Sequence, residues 1–223
     1  MSAQTAPLMV FGAAAILVIW ALHPFAVRLA RKNDWTGVRV QTKARLGWAI
    51  ASGAVLAFVG CVLGFSVAGF VVGAYALVLV LISIADMEAR IIPNVLALAA
   101  AALGLALSPL LEDVGFVRSI LGLAAGAGIF LVLVVVSRGR IGEGDVKLAG
   151  ALGAMCGLPV VLVALLLGIV GSGLVAIALV AVRVRRAQDI MPFGPFLAAG
   201  GIVSLLWGPA IGGWYLRLLS GGG

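Results

Sequence analysis

The sequence predicts an all-α fold, a polytopic transmembrane helical bundle of seven or eight spans with its N-terminus outside. Three observations predict it. Hydrophobic residues make up 64% of the 223 and charged residues 10%, with a mean hydropathy of +1.26, whereas a soluble domain is about half apolar and about a quarter charged. The apolar residues gather into eight runs, most of them close to the roughly 20 residues a helix needs to cross the hydrocarbon. The basic residues collect between alternate runs, as the positive-inside rule requires. A soluble globular domain, a disordered chain and a disulfide-rich secreted scaffold are all excluded.

The first run, 7–29, has no Lys or Arg before it. A cleaved signal peptide carries a positive leading region, so this run is read as a retained span. Further runs follow at 46–65, 68–85, 92–110, 116–136, 146–157, 159–182 and 196–218. Run 146–157 is too short for a comfortable crossing and is expected either as a short helix packed inside the bundle or as a re-entrant segment. Glycines within the spans (Gly122, Gly126 and Gly128, or Gly168, Gly171 and Gly173) suit close helix packing in lipid. The last residues, Gly221 to Gly223, read as a frayed end, and no convincing internal repeat is present.

The connecting segments set the orientation. Residues 28–45 hold Arg28, Arg31, Lys32, Arg39, Lys43 and Arg45; Arg90 follows the third run, Arg138, Arg140 and Lys147 follow the fifth, and Arg183, Arg185 and Arg186 follow the seventh. Only Arg118 and Arg217 fall on the other side, so thirteen of the fifteen basic residues share one face, expected to be cytoplasmic. The net charge of +7 therefore points to anionic lipid head groups. Nucleic acid is not expected as a partner, because no basic stretch is interleaved with aromatics. Cys61 and Cys156 form no CxxC pair and read as buried apolar thiols. Residues 1–223 are read as one membrane-embedded domain with 28–45 as a short basic cytoplasmic loop. No cofactor and no metal are expected.

The eight acidic residues can be sorted one by one. Asp34 and Asp189 lie in basic segments, and Glu112 and Asp113 in a short external loop. Asp86 with Glu88, and Glu143 with Asp145, lie at the cytoplasmic ends of spans, where an ionisable group is a functional candidate. Asp86 closes an apolar run and precedes Arg90, Pro93 and Asn94, with Pro93 fitting the first turn of the next helix. Taken alone, it reads equally as an interface carboxylate paired with Arg90. Asp145 ends Gly142-Glu143-Gly144-Asp145. The two glycines permit positive φ and close backbone approach, and Asp145 taken alone reads as a helix N-cap.

The two aspartates on one membrane face are what a carboxylate dyad requires. An ionised carboxylate takes a proton from water while a protonated one hydrogen-bonds the scissile carbonyl, and two close carboxylates share a proton as a pair. A helix N-terminus favours negative charge by roughly 0.3–1 kcal/mol, so Asp145 is expected to be the more acidic partner.

Here the sequence resembles the type IV prepilin peptidases, the GxGD intramembrane aspartyl peptidases. Three motifs carry the resemblance: Asp86 with its Ile-Pro-Asn turn to Asn94; Gly142 to Leu148, continuing through Ala149-Gly150-Ala151-Leu152-Gly153-Ala154; and Pro192-Phe193-Gly194-Pro195-Phe196-Leu197-Ala198. It covers about residues 50–215. It implies that Asp86 and Asp145 are the catalytic pair, that Gly142 and Gly144 shape the loop, and that Lys147 holds a carboxylate or a lipid phosphate. Pro93 and Asn94 support the turn, while Glu88 and Glu143 are given no catalytic role. The Pro-Phe-Gly-Pro segment breaks the helix and carries no chemical role. Larger members have a zinc-binding insertion with paired CxxC motifs after the first span. That place here holds only segment 28–45, as in a short form of the family, so zinc binding does not carry over and N-methylation of the new terminus is left open.

The resemblance implies cleavage of a prepilin or pilin-like protein after a Gly, at the cytoplasmic face of a bacterial inner membrane. The partners expected are the substrate helix and membrane lipids, with the oligomeric state open. The alternatives are a proton-coupled transporter or channel using the same carboxylates, or a non-catalytic assembly subunit of a pilus or secretion machine.

Overall fold

The computed structural model describes residues 5–30, 42–138, 141–184 and 191–219. They form eight helices: α1 (Thr5–Ala30), α2 (Thr42–Leu63), α3 (Val67–Ala89), α4 (Asn94–Leu107), α5 (Gly115–Val136), α6 (Glu143–Cys156), α7 (Val160–Ala181) and α8 (Gly194–Leu219). A 3-10 turn, Ser108–Leu110, prolongs α4. Each apolar run thus becomes one helix, and no strand occurs among the described residues. The sequence-predicted segment 31–41, Asp189, Arg140, Arg185, Arg186, the side chains of Lys43, Arg45 and Arg217, and Gly221 to Gly223 lie outside the described residues.

α1, α2, α3, α5 and α7 are long and apolar enough to cross a membrane, whereas Asn94–Leu110 and Gly194–Gly208 are shorter apolar helices. The short sixth run is resolved in favour of a helix packed inside the bundle. Every residue of α6 from Leu148 to Cys156 is buried, so this helix is surrounded by protein. It shares the core with α3, whose Leu79, Ile82 and Ile84 are fully buried.

Small residues explain how closely α6 is held. A Cβ on Gly122 of α5 would strike the Gly153 carbonyl of α6, and one on Gly126 would strike that of Ala149. The backbones therefore meet directly, as glycine allows in lipid, and the Ser119 hydroxyl donates to the Ala154 carbonyl. Gly168 of α7 likewise lies against Leu197 of α8. The packing expectation fails for Gly128, Gly171 and Gly173, where a Cβ would meet no atom within 4 Å. Gly128 lies off the face of α5 that Gly122, Gly126 and Phe130 bury, whereas Gly171 and Gly173 lie beyond Gly168, the last buried residue of α7.

α3 is tied to α4 by the buried Tyr75 hydroxyl, which donates to the Gly104 carbonyl at 3.2 Å. α1 and α2 form a smaller apolar cluster around Phe11, Leu56 and Val59, with Val72 of α3 completing it.

Candidate active site

Asp86 stands in the last turn of α3 and is 6% exposed. The helix ends because Arg90 adopts the left-handed conformation (φ 54°), with its N–H donating to the Asp86 carbonyl at 2.7 Å. Pro93 then takes the N-cap position of α4 (φ −63°, ψ 134°), one residue before the helix. This corrects its expected place inside the first turn; its fixed φ suits the extended approach to the helix equally well.

The side chain of Asp86 is not an interface carboxylate paired with Arg90: among the described residues the two form no ion pair. Its Oδ2 accepts a hydrogen bond from the Gly194 N–H at 2.7 Å. Gly194 opens α8, so the carboxylate meets the unsatisfied donors and positive end of a helix. A Cβ on Gly194 would lie 2.8 Å from that oxygen and 3.2 Å from Cγ. Only a residue without a side chain lets the two approach this closely.

Asp145 is the third residue of α6, and the N-cap is Gly142. This corrects the expectation that Asp145 caps the helix itself. Its Oδ2 reaches back to accept from the Gly142 N–H at 3.3 Å, which is half of a capping box. The glycine turn does not use positive φ: Gly142 has φ −76° and ψ 149°, and Gly144 is helical. What Gly144 supplies is space. A Cβ there would stand 3.0 Å from Cβ of Ile92, so the turn after α3 and the turn before α6 touch at this point. That contact brings the two aspartate-bearing turns together.

Both aspartates line one cavity of about 560 Å³. Arg90 and Gly142 share its polar lining, Phe130, Leu133 and Ile169 supply an apolar wall, and the segment from Met191 to Phe193 closes one side. The Phe130 and Phe193 rings pack with centroids 5.9 Å apart. Asp145 lies outside the five long apolar helices. Burial first, and then the charge of Asp86, push its carboxyl up to about 6 against the opposing Gly142 N–H. The helix-end argument for a more acidic Asp145 applies to Asp86 as well, since Asp86 faces the start of α8.

Lys147 pairs with one carboxylate, that of Glu143, and with the Asn94 amide. Its Nζ donates to Asn94 Oδ1 at 2.8 Å and lies 3.9 Å from the exposed Glu143 carboxylate. It clips the start of α6 to the start of α4 and contacts neither aspartate among the described residues. Glu88 accepts from the Trp48 indole N–H at 3.4 Å, which links α2 to α3. Among the described residues no three His, Cys, Asp or Glu side chains converge as a metal site. The functional group that residue-level reading missed is the Gly194 N–H. Its signal was in view, in Pro192-Phe193-Gly194-Pro195, but a backbone donor leaves no mark in the side-chain pattern.

The model of the type IV leader peptidase family matches residues 73–177, which contain both aspartates and the glycine turn. This segment, a little under half of the chain, is similar to that family. The chain is 33% identical over 147 residues to a prepilin leader peptidase/N-methyltransferase of Aeromonas hydrophila, covering 62% of this chain and 50% of the relative. A protein of the same description from Pseudomonas putida is 32% identical over 175 residues, covering 72% of this chain and 61% of its own length. One from Bacillus subtilis (strain 168) is 28% identical over 179 residues, covering 77% and 69%. The chain spans about half the length of the first of these relatives. No solved structure matches it significantly.

Proposed function

We propose that this chain is a member of that family, an aspartic endopeptidase that removes the leader peptide of prepilin or pilin-like proteins, with Asp86 and Asp145 as its catalytic pair. The observation that carries the reading is the single cavity lined by both carboxylates, inside the segment that matches the leader peptidase family.

The chemistry follows from two carboxyl groups holding one proton between them. The ionised carboxylate takes a proton from a water molecule as the water oxygen attacks the scissile carbonyl carbon. The protonated one donates to the carbonyl oxygen, giving a neutral tetrahedral intermediate. The C–N bond then breaks as the leaving nitrogen takes a proton from one carboxyl and a hydroxyl of the intermediate gives its proton to the other, so a new carboxyl group and a new amine result and the pair again holds one proton. Gly194 and Gly142 each hold one oxygen of their aspartate through a backbone N–H. The remaining carboxylate oxygens are left to face the water and the substrate.

A helical peptide bond is shielded by its own hydrogen bond, so the scissile bond must leave helical geometry. Glycine at the cut site lowers the cost of that unwinding, which supports cleavage after a Gly. The basic residues between alternate helices support an active site at the cytoplasmic face of a bacterial inner membrane, with the whole chain acting as one membrane-embedded domain among lipids. The test is co-expression with a pilin-like substrate and mass spectrometry of the product. Leader loss at a single bond after Gly is expected. An intact substrate, across several pilin-like proteins, would remove the peptidase reading.

A further inference from the structure

We propose that a second cavity, at the end of the bundle opposite the aspartates, binds one aminophospholipid, with its ammonium on Glu112 and Asp113 and an ester carbonyl on Ser204. The inference stands apart from the peptidase reading. This cavity measures about 450 Å³ and is lined from the α2–α3, α4–α5 and α6–α7 connections together with α8. The aspartate cavity is lined from the intervening connections, and the two share no residue. Its charged lining is wholly acidic: Glu112 and Asp113, both exposed, border it, and no Lys, Arg or His does. Among the described residues neither carboxylate is part of an ion pair. Most of the remaining lining is apolar, including Leu63, Val72, Val160 and Leu205.

Two acidic residues alone do not define a ligand. The second observation is Ser204, which is fully buried, lines this cavity and has a hydroxyl without a hydrogen-bond partner. Every other described serine donates its hydroxyl to a backbone carbonyl, as Ser66 on the same cavity does to Leu63. A buried hydroxyl left unpaired is costly, so the fitting occupant brings an acceptor to Ser204. It must also be apolar over much of its length and cationic beside Glu112 and Asp113. An aminophospholipid joins these features in order: ammonium, ester carbonyl, acyl chain. Its phosphate is matched by exposed Arg118, whose Nη1 donates to the Asp113 carbonyl at 2.8 Å and whose guanidinium carries further donors. The bundle is also short here. Asn94–Leu110 spans about 25 Å and the 14 residues of α6 about 21 Å, against roughly 30 Å of hydrocarbon. The 111–114 connection therefore sits lower than a full-length span would place it. A head group that follows it carries its ester carbonyls below their ordinary level, toward Ser204.

Thermal unfolding of the full chain in nanodiscs separates the contacts. The background lipid is diether phosphatidylcholine, which offers neither a primary ammonium nor an ester carbonyl. Into it is titrated diether or diester phosphatidylethanolamine. The diether form is expected to raise the unfolding temperature through its ammonium. The diester form is expected to reach half of its effect at about one fifth of the lipid fraction, the gain from one ordinary hydrogen bond. Glu112→Gln combined with Asp113→Asn should abolish the rise from the diether form. Ser204→Ala should keep that rise and lose the advantage of the diester form. Equal unfolding temperatures in all discs, or a rise that the double variant retains, overturn the inference. So does a diester advantage that survives in Ser204→Ala. The background discs alone check the premise. There Ser204→Ala should be at least as stable as the wild type, because it removes a hydroxyl with no partner. A lower unfolding temperature would mean that water already satisfies Ser204, and would overturn the lipid contact.

Discussion

The backbone N–H of Gly194 donates a 2.7 Å hydrogen bond to Oδ2 of Asp86, joining the first residue of α8 to the last turn of α3 across 108 positions of chain. The carboxylate is thereby oriented by a group that no side-chain substitution elsewhere can replace. The absence of a Cβ at Gly194 is what permits the approach.

Gly194→Ala should cost activity without costing the fold. Alanine is the better helix former, but its Cβ would stand 2.8 Å from Asp86 Oδ2, so either the carboxylate or the start of α8 must move. A displacement of this kind costs on the order of 10²-fold in rate. Leader-processing rates beside thermal unfolding in detergent check it: the rate falls and the unfolding temperature holds.

The glycine contact between α5 and α6 is structural, and its loss should be global. In Gly153→Leu the new side chain meets the Gly122 carbonyl and the Leu123 backbone, which cannot yield as a flexible side chain can. Overpacking of this kind typically costs about 1–3 kcal/mol, and more where backbone must shift. The expected outcome is a sharp drop in folded protein in the membrane, with processing reduced in proportion to that loss. Processing per folded molecule should change little.

Much of this was legible in the sequence, for physical reasons. Eight apolar runs became eight helices because lipid demands internal satisfaction of every backbone group, which leaves little choice of structure. Asp86 and Asp145 stood out because charge is scarce in so apolar a chain. The short sixth run showed through its length that it is not a comfortable crossing, and left a packed helix or a re-entrant segment open. What could not be read was tertiary: that Gly144 works by admitting Ile92 rather than by positive φ, that Lys147 reaches Asn94 as well as a carboxylate, and that Gly194 holds Asp86. Each depends on which turns meet in space, and residue spacing along the chain does not encode that. Gly128, Gly171 and Gly173 mislead for the converse reason, since a small residue looks the same in sequence whether or not a helix lies against it.

Lys147→Ala should act on stability more than on chemistry. It removes the 2.8 Å bond to Asn94 and a loose pair with exposed Glu143, together worth about 1–2 kcal/mol. A lower unfolding temperature with a near-normal pH profile of processing is expected, and Asn94→Ala should give the same phenotype. A shifted pH profile would show instead that Lys147 acts on the aspartates directly.

Asp145 gives the stability a pH dependence of known sign. Its carboxyl is pushed from the ordinary 3.8 up to about 6, so the folded protein holds this proton more tightly than the unfolded chain does. That stabilisation is fully present below about pH 4, is lost as the pH rises through about 6, and amounts to about 3 kcal/mol. Asp145→Asn cannot ionise and keeps an oxygen for the Gly142 N–H. It should therefore unfold at a higher temperature than the wild type at about pH 7.5, with the difference closing toward pH 4. Unfolding curves in detergent micelles at the two pH values measure it.

The central claim is that Asp86 and Asp145 act as one catalytic pair. Co-expression of wild type, Asp86→Asn, Asp145→Asn and the double variant with a pilin-like substrate, read by mass spectrometry of the mature N-terminus, tests it most directly. The account predicts cleavage after a Gly by the wild type, and the same uncleaved background for all three variants, each present in the membrane at normal level. Cleavage that persists in either single variant would contradict the pair.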